Sequence, residues 1–355
     1  MSEPMTPRQR ALAALHHHVP DLIPSHIFNV LEWEKRLEYF GVNSLDELAD
    51  RLGNTIVIHV PPYGDRQPGQ AVGVLPALWG VPDEYTVTYT DSIPRPLANA
   101  ETVADVDAFP WPTAEGFDFQ AMRRKLLDDT THARLSVRWM PVFSRLCEMF
   151  GMEQAMVNLH WNRPVIEAAL AYLDDFYTDF FTRMLETCGD HIDIFGQGDD
   201  FADNRGLLMR PEIWRSLFKP LYAKYLGMGK ARGLPTLMHS CGRIVEVLPD
   251  LIDCGLDAWQ TVQTHLPGQD AATLKRQFGH HLTFVGAIDT TNILSAATPA
   301  QVKQHVRQQI DLLAEGGGYV CAADHSIFPE VPNENVAALF EAAAEYRKPG
   351  YTLLS

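Results

Sequence analysis

His239, Cys241 and Cys321 are the residues whose types and spacing point most directly to metal chemistry. His239 and Cys241 lie two residues apart at the end of the apolar run PTLMHS, and alternate residues of a strand point to the same face. Cys321 lies near the end of a later run, GGYVCAA. Zinc prefers cysteine sulfur and histidine nitrogen, and a catalytic zinc keeps a fourth position open beside three protein ligands. The three residues therefore predict a catalytic zinc site, although buried cysteines are also common as small apolar residues.

Other polar residues follow the same kind of run. Asp199 and Asp200 lie after Gly198 in the loop GQGDDFADNRG, where a carboxylate can bind a metal, transfer a proton or merely cap a helix. His325 lies four residues after Cys321 and is suited either to proton transfer or to a structural hydrogen bond. We predict catalytic roles for His325 and for the two acids, without choosing between the acids. Weaker candidates for binding a cofactor or substrate are Gln260, Gln263 and Asp289.

Eight short apolar runs, separated by helical patterns, must position these side chains. The runs begin at Ile23, Asn54, Arg134, His191, Pro235, Leu256, Leu282 and Gly317. Strands that are separated by helical crossovers pair in parallel, and eight of them fit a closed barrel. The predicted fold class is therefore α/β, a (β/α)8 TIM barrel in which the carboxyl ends of all strands meet at one face.

Two further segments decorate the predicted barrel. Thr6 and Pro7 indicate the N-cap and first residue of a helix that runs to Leu15 and covers the base of the barrel. A segment at about 79–112 contains EYTVTYTDS, whose alternation indicates an antiparallel insertion. The chain shows no repeat, low-complexity tract or linker, so we predict one domain over 1–355.

The composition narrows the partners and the compartment. A net charge of -16, with no concentrated basic run, argues against nucleic acid and anionic membranes as partners. The 5 cysteines are an odd number in a chain too large to need disulfides, which favours a reducing compartment. The amino-terminal residues lack the apolar core of a signal peptide, and no uninterrupted apolar stretch reaches about 18 residues. We therefore expect a cytoplasmic protein that acts on a small molecule, and a homo-oligomer is compatible with these features.

Several stretches together resemble a known family. They are TPRQRALAAL, GQGDDFADNRGLLMRPEIW, LMHSCGRIVEVLPDLIDCGLDAWQTVQ, FVGAIDTTNIL and GGGYVCAADHSIFPEVPNENV. Over nearly its whole length the chain resembles the uroporphyrinogen decarboxylase superfamily, and within it the zinc-dependent corrinoid methyltransferase branch. The resemblance implies a TIM barrel and a Zn²⁺ ion bound by His239, Cys241 and Cys321.

The chemistry implied by the resemblance is transfer of a methyl group between a small-molecule or corrinoid-protein donor and a thiol or corrinoid acceptor. The chain lacks an Asp-x-His-x-x-Gly corrinoid signature, so a corrinoid would be carried by a separate protein. SHIFNVLEWEKRLEYF replaces the Arg-Gln-Ala-Gly-Arg motif of the decarboxylases, which argues against porphyrinogen decarboxylation. Two alternatives stay open: a metal-free decarboxylase that uses Asp199 or Asp200 with His325, and a non-catalytic barrel that binds a corrinoid or a thiol.

Overall fold

The computed structural model describes residues 3–64, 76–80 and 95–346. Within these residues the strands are β1 (Ile56–Ile58), β2 (Ala133–Leu135), β3 (Phe195–Gly198), β4 (Thr236–His239), β5 (Ala258–Val262), β6 (Thr283–Ile288) and β7 (Tyr319–Ala323). The α-helices before β3 are α1 (Pro7–Leu15), α2 (Glu34–Phe40), α3 (Leu45–Arg51), α4 (Val103–Asp107), α5 (Phe119–Asp128), α6 (Phe143–Phe150), α7 (Met152–Trp161) and α8 (Arg163–Cys188). Those after it are α9 (Pro211–Leu217), α10 (Lys219–Ala231), α11 (Leu248–Asp253), α12 (Ala271–Phe278), α13 (Pro299–Leu313) and α14 (Asn333–Glu345).

The pairings among the seven described strands are parallel and follow the order of the chain. β1 pairs with β2, and β3 to β7 form a second sheet in sequence order. A bridge between Leu135 and Ile194 links the two sheets on one side. On the other side, Ser25 bridges both Cys321 in β7 and Asn54 just before β1. The eight predicted runs therefore follow one another around a ring, which confirms the predicted α/β barrel class, although the first run takes part through isolated bridges at Ser25 and not as a strand.

The amino-terminal helix forms where the sequence predicts it. The Thr6 hydroxyl accepts a hydrogen bond from the Gln9 backbone, and the Gln9 side chain accepts one from the Thr6 backbone, which makes a capping box. At the other end of α1, the Ala14 carbonyl accepts hydrogen bonds from Gly318 and from the Thr283 hydroxyl. Because Thr283 and Gly318 lie at the amino ends of β6 and β7, α1 covers the base of the barrel.

The predicted insertion is described only in part. Its alternating stretch EYTVTYTDS lies outside the described residues. The part from residue 95 onward contains α4, which begins at a capping box between Thr102 and Asp105. The antiparallel pairing and the single-domain boundary both stay predictions.

Two glycines of β3 let this strand approach the segment that follows β2. A Cβ atom at Gly196 would lie 2.5 Å from the Val137 carbonyl oxygen, and one at Gly198 would overlap that of Arg138. Glycine at both positions therefore allows Arg138 to lie beside the carboxyl end of β4. Among the described residues, no helix is long and apolar enough to cross a membrane.

Candidate metal centre

His239, Cys241 and Asp200 form a compact group at the carboxyl ends of β3 and β4, and we refer to these three residues as the metal centre. Their ligand atoms all lie within 4.8 Å of one another. Nε2 of His239 is 3.5 Å from Cys241 Sγ and 3.8 Å from Asp200 Oδ1. Asp200 Oδ1 also accepts a hydrogen bond of 2.7 Å from the Cys241 backbone. A nitrogen, a sulfur and an oxygen at such distances form a donor set that suits Zn²⁺.

The ring of His239 is held by two buried side chains. Its Nδ1 lies 3.3 Å from Gln260 Oε1 and 2.8 Å from Arg138 Nη1, which itself donates to Gln260 Oε1 at 3.0 Å. Arg138 can only donate, so its 2.8 Å contact meets a lone pair of Nδ1 when the ring proton is on Nε2, whereas a proton on Nδ1 would be donated to Gln260 Oε1. The latter tautomer leaves the lone pair of Nε2 directed toward Cys241 and Asp200, as a metal ligand requires.

Burial keeps His239 neutral. Its pKa lies well below the usual value because the ring is desolvated and, secondly, because the Arg138 guanidinium is close. A neutral imidazole is the form that binds a metal. His239 therefore has the protonation state that a metal ligand requires.

Cys241 is half-buried and follows β4 at a tight turn. Burial, followed by the Asp200 carboxylate, raises the pKa of its thiol well above the usual value, and Thr261 Oγ1 lies 3.6 Å from its sulfur. The next residue, Gly242, has a φ of 83° and donates its N–H to Gln263 Oε1 at 2.7 Å. The turn thus places the sulfur at the centre, where a divalent cation would convert the thiol to a thiolate.

The two adjacent acids have different surroundings. Asp199 is fully buried, and its Oδ2 accepts hydrogen bonds from the backbone of Val142 and Phe143 and from the Tyr222 hydroxyl. Its Oδ1 accepts two more from the backbone and hydroxyl of Ser144. Since these amides lie at the start of α6, the Asp199 carboxylate anchors that helix, and among the hydrogen bonds described only the Asp199 backbone N–H, which donates to the His239 carbonyl, reaches the metal centre.

Asp200 belongs to the metal centre instead. Its side chain keeps 31% of its surface exposed. Desolvation, the largest effect, and the nearby Asp199 carboxylate together raise its pKa to about 6. A nearby cation would favour the ionised form of such a group.

Cys321 does not belong to the group of residues within 4.8 Å. His239 pairs with Gln260, Gln260 with Val285 and Val285 with Val320, so these residues lie on one face of the sheet. Cys321 is the next residue after Val320, and successive strand residues point to opposite faces. Its thiol is fully buried, and desolvation raises its pKa to about 12. The structure therefore brings two of the three predicted ligands together and places Asp200 beside them.

His325 lies near the metal centre but not in it. Its ring stacks on Phe328 with 5.1 Å between centroids, and burial lowers its pKa. Its Nδ1 is buried and has no hydrogen-bond partner among the described residues. A charge on His325 would lower the pKa of His239, so the two rings lie close enough to interact electrostatically. The structure leaves its predicted catalytic role as a prediction.

A second polar group lies at the same face of the barrel. Nδ1 of His265 is 3.1 Å from Asp324 Oδ2 and 3.8 Å from Asp289 Oδ2, and the Asp324 hydrogen bond raises the pKa of His265. The other carboxylate contacts are amide donors: Thr290 donates to Asp324, and Asn292 donates to both oxygens of Asp289. Every carboxylate oxygen therefore has a donor, so this group forms an ion cluster that needs no metal, and Asp289 caps the turn after β6.

Three residues that contact the metal centre were not predicted from the sequence. Arg138 contacts His239 directly, and its guanidinium lies 4.9 Å from the centroid of the Phe28 ring. Thr261 contacts Cys241, and Phe28 packs against His239 with 5.6 Å between ring centroids. A charged residue in the middle of the apolar run RLSVRWMPV is the one signal in the sequence that points to Arg138.

The fold and the centre together define an α/β barrel with a histidine–cysteine–carboxylate group at the carboxyl ends of its strands. The model of the uroporphyrinogen decarboxylase (URO-D) family matches residues 90–346. The match covers more than half of the chain, so the protein belongs to this family. The resemblance found in the sequence is thereby confirmed at the level of the family.

Individual relatives are methyltransferases. The chain is 29% identical over 139 residues to "Methylcobamide:CoM methyltransferase MtaA" of Methanosarcina barkeri, a stretch that is 39% of this chain and 38% of that protein. The protein of the same name from the Fusaro strain is 29% identical over 140 residues, with the same shares of both chains. The matched stretch thus spans little more than a third of these relatives.

A solved structure matches almost the entire chain. It is described as a "methyltransferase from Methanosarcina mazei", with a TM-score of 0.66 and 19% identity. The alignment covers 96% of this chain and 98% of the other. At this identity the match shows that the two proteins share a fold.

Proposed function

We propose that the protein is a zinc-dependent methyltransferase that moves a methyl group between a small-molecule or corrinoid-protein donor and a thiol or corrinoid acceptor. The observation that carries the proposal is the convergence of His239 Nε2, Cys241 Sγ and an Asp200 oxygen within 4.8 Å. The similarity to proteins named as methylcobamide:CoM methyltransferases supports the type of reaction.

His239, Cys241 and Asp200 would hold the ion, with Asp200 in the place for which the sequence favours Cys321. When bound, zinc lowers the pKa of a thiol that enters its open position, or polarises an oxygen there. The chain supplies the rest of the site. Gln260 Oε1 would accept the Nδ1 proton of a metal-bound His239, and the Cys241 backbone N–H orients the Asp200 carboxylate.

A separate corrinoid protein is the proposed partner. The relatives' printed names include a methylcobamide, and the metal centre lies at the strand ends, where barrel enzymes bind their substrates. Asp200 and Cys241 keep part of their surface exposed at this face. We propose that the corrinoid protein docks over it and delivers or accepts the methyl group there.

Metal analysis combined with a methylation assay tests the proposal. Purified protein should contain about one zinc per chain, and it should methylate a thiol with free methylcobalamin as donor. Cys241→Ala should lose both the metal and the activity. Cys147→Ala, which removes a buried cysteine of α6, is the matched control and should keep both. Wild-type protein that stays free of zinc after expression with ample zinc would refute the proposal.

Decarboxylation is the alternative activity, because the matching family model is named for uroporphyrinogen decarboxylase. Its candidate residues would be Asp200 and His325, which lie at the same face of the barrel. Release of carbon dioxide from a tetrapyrrole acid, unchanged by Cys241→Ser, would favour that activity over methyl transfer.

A further inference from the structure

Arg138 is a buried cation beside the metal centre. Its side chain lies just after β2 and is 3% exposed. Its Nη1 contacts Gln260 Oε1 at 3.0 Å and His239 Nδ1 at 2.8 Å, and its guanidinium packs over the Phe28 ring. No carboxylate among the described residues lies within ion-pair distance of it, and its Nε has no hydrogen-bond partner there. The guanidinium therefore has no direct partner of opposite charge.

Other buried arginines of the chain are compensated more fully. Arg134 and Arg145 each form an ion pair with a carboxylate. Arg36 forms no ion pair with any described residue, but it donates to two backbone carbonyl oxygens and to an asparagine oxygen. Within the described part of the chain, the Arg138 guanidinium has only an amide oxygen and an imidazole nitrogen as hydrogen-bond partners. An unpaired buried charge costs free energy, so a compensating anion is expected when the site is occupied.

The charges of the metal centre do not supply that anion. A divalent cation bound by a Cys241 thiolate and an Asp200 carboxylate is already neutral, because His239 binds it without charge. The positive charge of Arg138 is then left over. A ligand with one negative charge at the open position would balance it, whereas a neutral ligand would not.

We propose that Arg138 makes the open position of the metal centre selective for a ligand with one negative charge, bound through its charged atom. The proposal rests on the function proposed above and deepens it, since it assigns the substrate class as an anionic sulfur or oxygen ligand, such as a thiolate or carboxylate. Arg138 is a positioning residue, because it acts through its charge and through its contacts with His239 and Gln260.

Ligand binding to the cobalt(II)-loaded full-length protein tests this selectivity. Azide, an anion, and imidazole, which is neutral, are each titrated while the visible absorption of cobalt is followed. In Arg138→Met the dissociation constant for azide should rise by at least about tenfold, because one nearby charge is lost, while that for imidazole should change by less than about twofold. Arg138→Lys keeps the charge and should retain most of the azide affinity. Arg138→Gln, also neutral, should behave as Arg138→Met and serves if the methionine variant does not fold.

Arg134→Met is the matched control, since it removes a buried guanidinium of β2 away from the metal centre. Its affinity for azide should equal that of the wild type. Equal losses of azide and imidazole affinity in the neutral Arg138 variants, or no loss of either, would overturn the proposed selectivity. Failure of the wild type to bind cobalt or zinc at all would instead overturn the metal centre itself, so the two failures are distinguishable.

Discussion

Replacing each of the two adjacent acids by asparagine should separate a folding role from a metal-binding role. Asp199 accepts five hydrogen bonds in a buried position, whereas Asp200 accepts one from the Cys241 backbone and is partly exposed. Asparagine keeps the size of the side chain but removes its charge and one of its two acceptor oxygens. Both variants therefore change the same atoms, and only the surroundings differ.

The Asp199→Asn variant should lose about 3 kcal/mol of unfolding free energy. At least one backbone N–H at the start of α6 then faces an amide group that cannot accept, which costs about 1–3 kcal/mol. Loss of the negative charge at this helix terminus, and of the stronger hydrogen bonds to it, adds about 1 kcal/mol. For Asp200→Asn the expected loss is about 1 kcal/mol or less, because a partly exposed group loses a single charged acceptor.

Urea denaturation of the metal-free proteins measures the first effect, and zinc retained in competition with a chelator measures the second. Asp199→Asn should be less stable but bind zinc as the wild type does under conditions where it is folded. Asp200→Asn should be nearly as stable and bind zinc at least about tenfold more weakly. The reverse pattern, with zinc lost from Asp199→Asn and kept by Asp200→Asn, would refute the assignment of the two acids.

Three further predictions follow from the described contacts. Cys321→Ala should keep its zinc, whereas Cys241→Ala should lose it. Metal analysis of both purified variants measures this difference. Equal loss of zinc from both variants would show that Cys321 is a ligand. His132 has a raised pKa, chiefly through its hydrogen bond to Asp129, so its contribution to stability is complete below about pH 6.5 and is lost as the pH rises through the folded-state pKa. The unfolding free energy in urea should therefore fall less steeply with rising pH in His132→Gln than in the wild type, and equal slopes would contradict this. Gly198→Ala should destabilise the protein by about 2–3 kcal/mol, measured in the same way, because its Cβ would overlap a backbone carbonyl; unchanged stability would show that β3 has room to shift.

The fold could be predicted from the sequence because its signals are local. Seven of the eight apolar runs overlap a strand, and α1 begins at the predicted capping residues. The first run is different because its segment pairs with its neighbours through isolated bridges, and no periodicity in the sequence distinguishes an isolated bridge from a strand. The (β/α)8 class is predicted from the alternation of apolar runs with helical patterns. One run that forms isolated bridges in place of a strand leaves this alternation unchanged.

Within the site, the sequence predicts which residues of a single strand share a face, but it does not predict how neighbouring strands are aligned. The spacing of His239 and Cys241 places both on one face, and the structure agrees. The position of Cys321 depends on the register across β5, β6 and β7, which the sequence does not specify. The role of Arg138 could not be predicted for a similar reason. It depends on the contact with His239, which belongs to another strand.

β5 determines the geometry of the metal centre as much as the strand that carries its ligands. Gln260 lies against His239 Nδ1, and the next residue, Thr261, lies against the sulfur of Cys241. In a regular strand two consecutive side chains would point to opposite faces. Here the register between β5 and β6 shifts between Gln260 and Val262, as it does where a strand carries an extra residue. Because of this irregularity, one strand supplies a separate positioning group to each of the two ligands, so a residue inserted or deleted there would disturb both ligands at once.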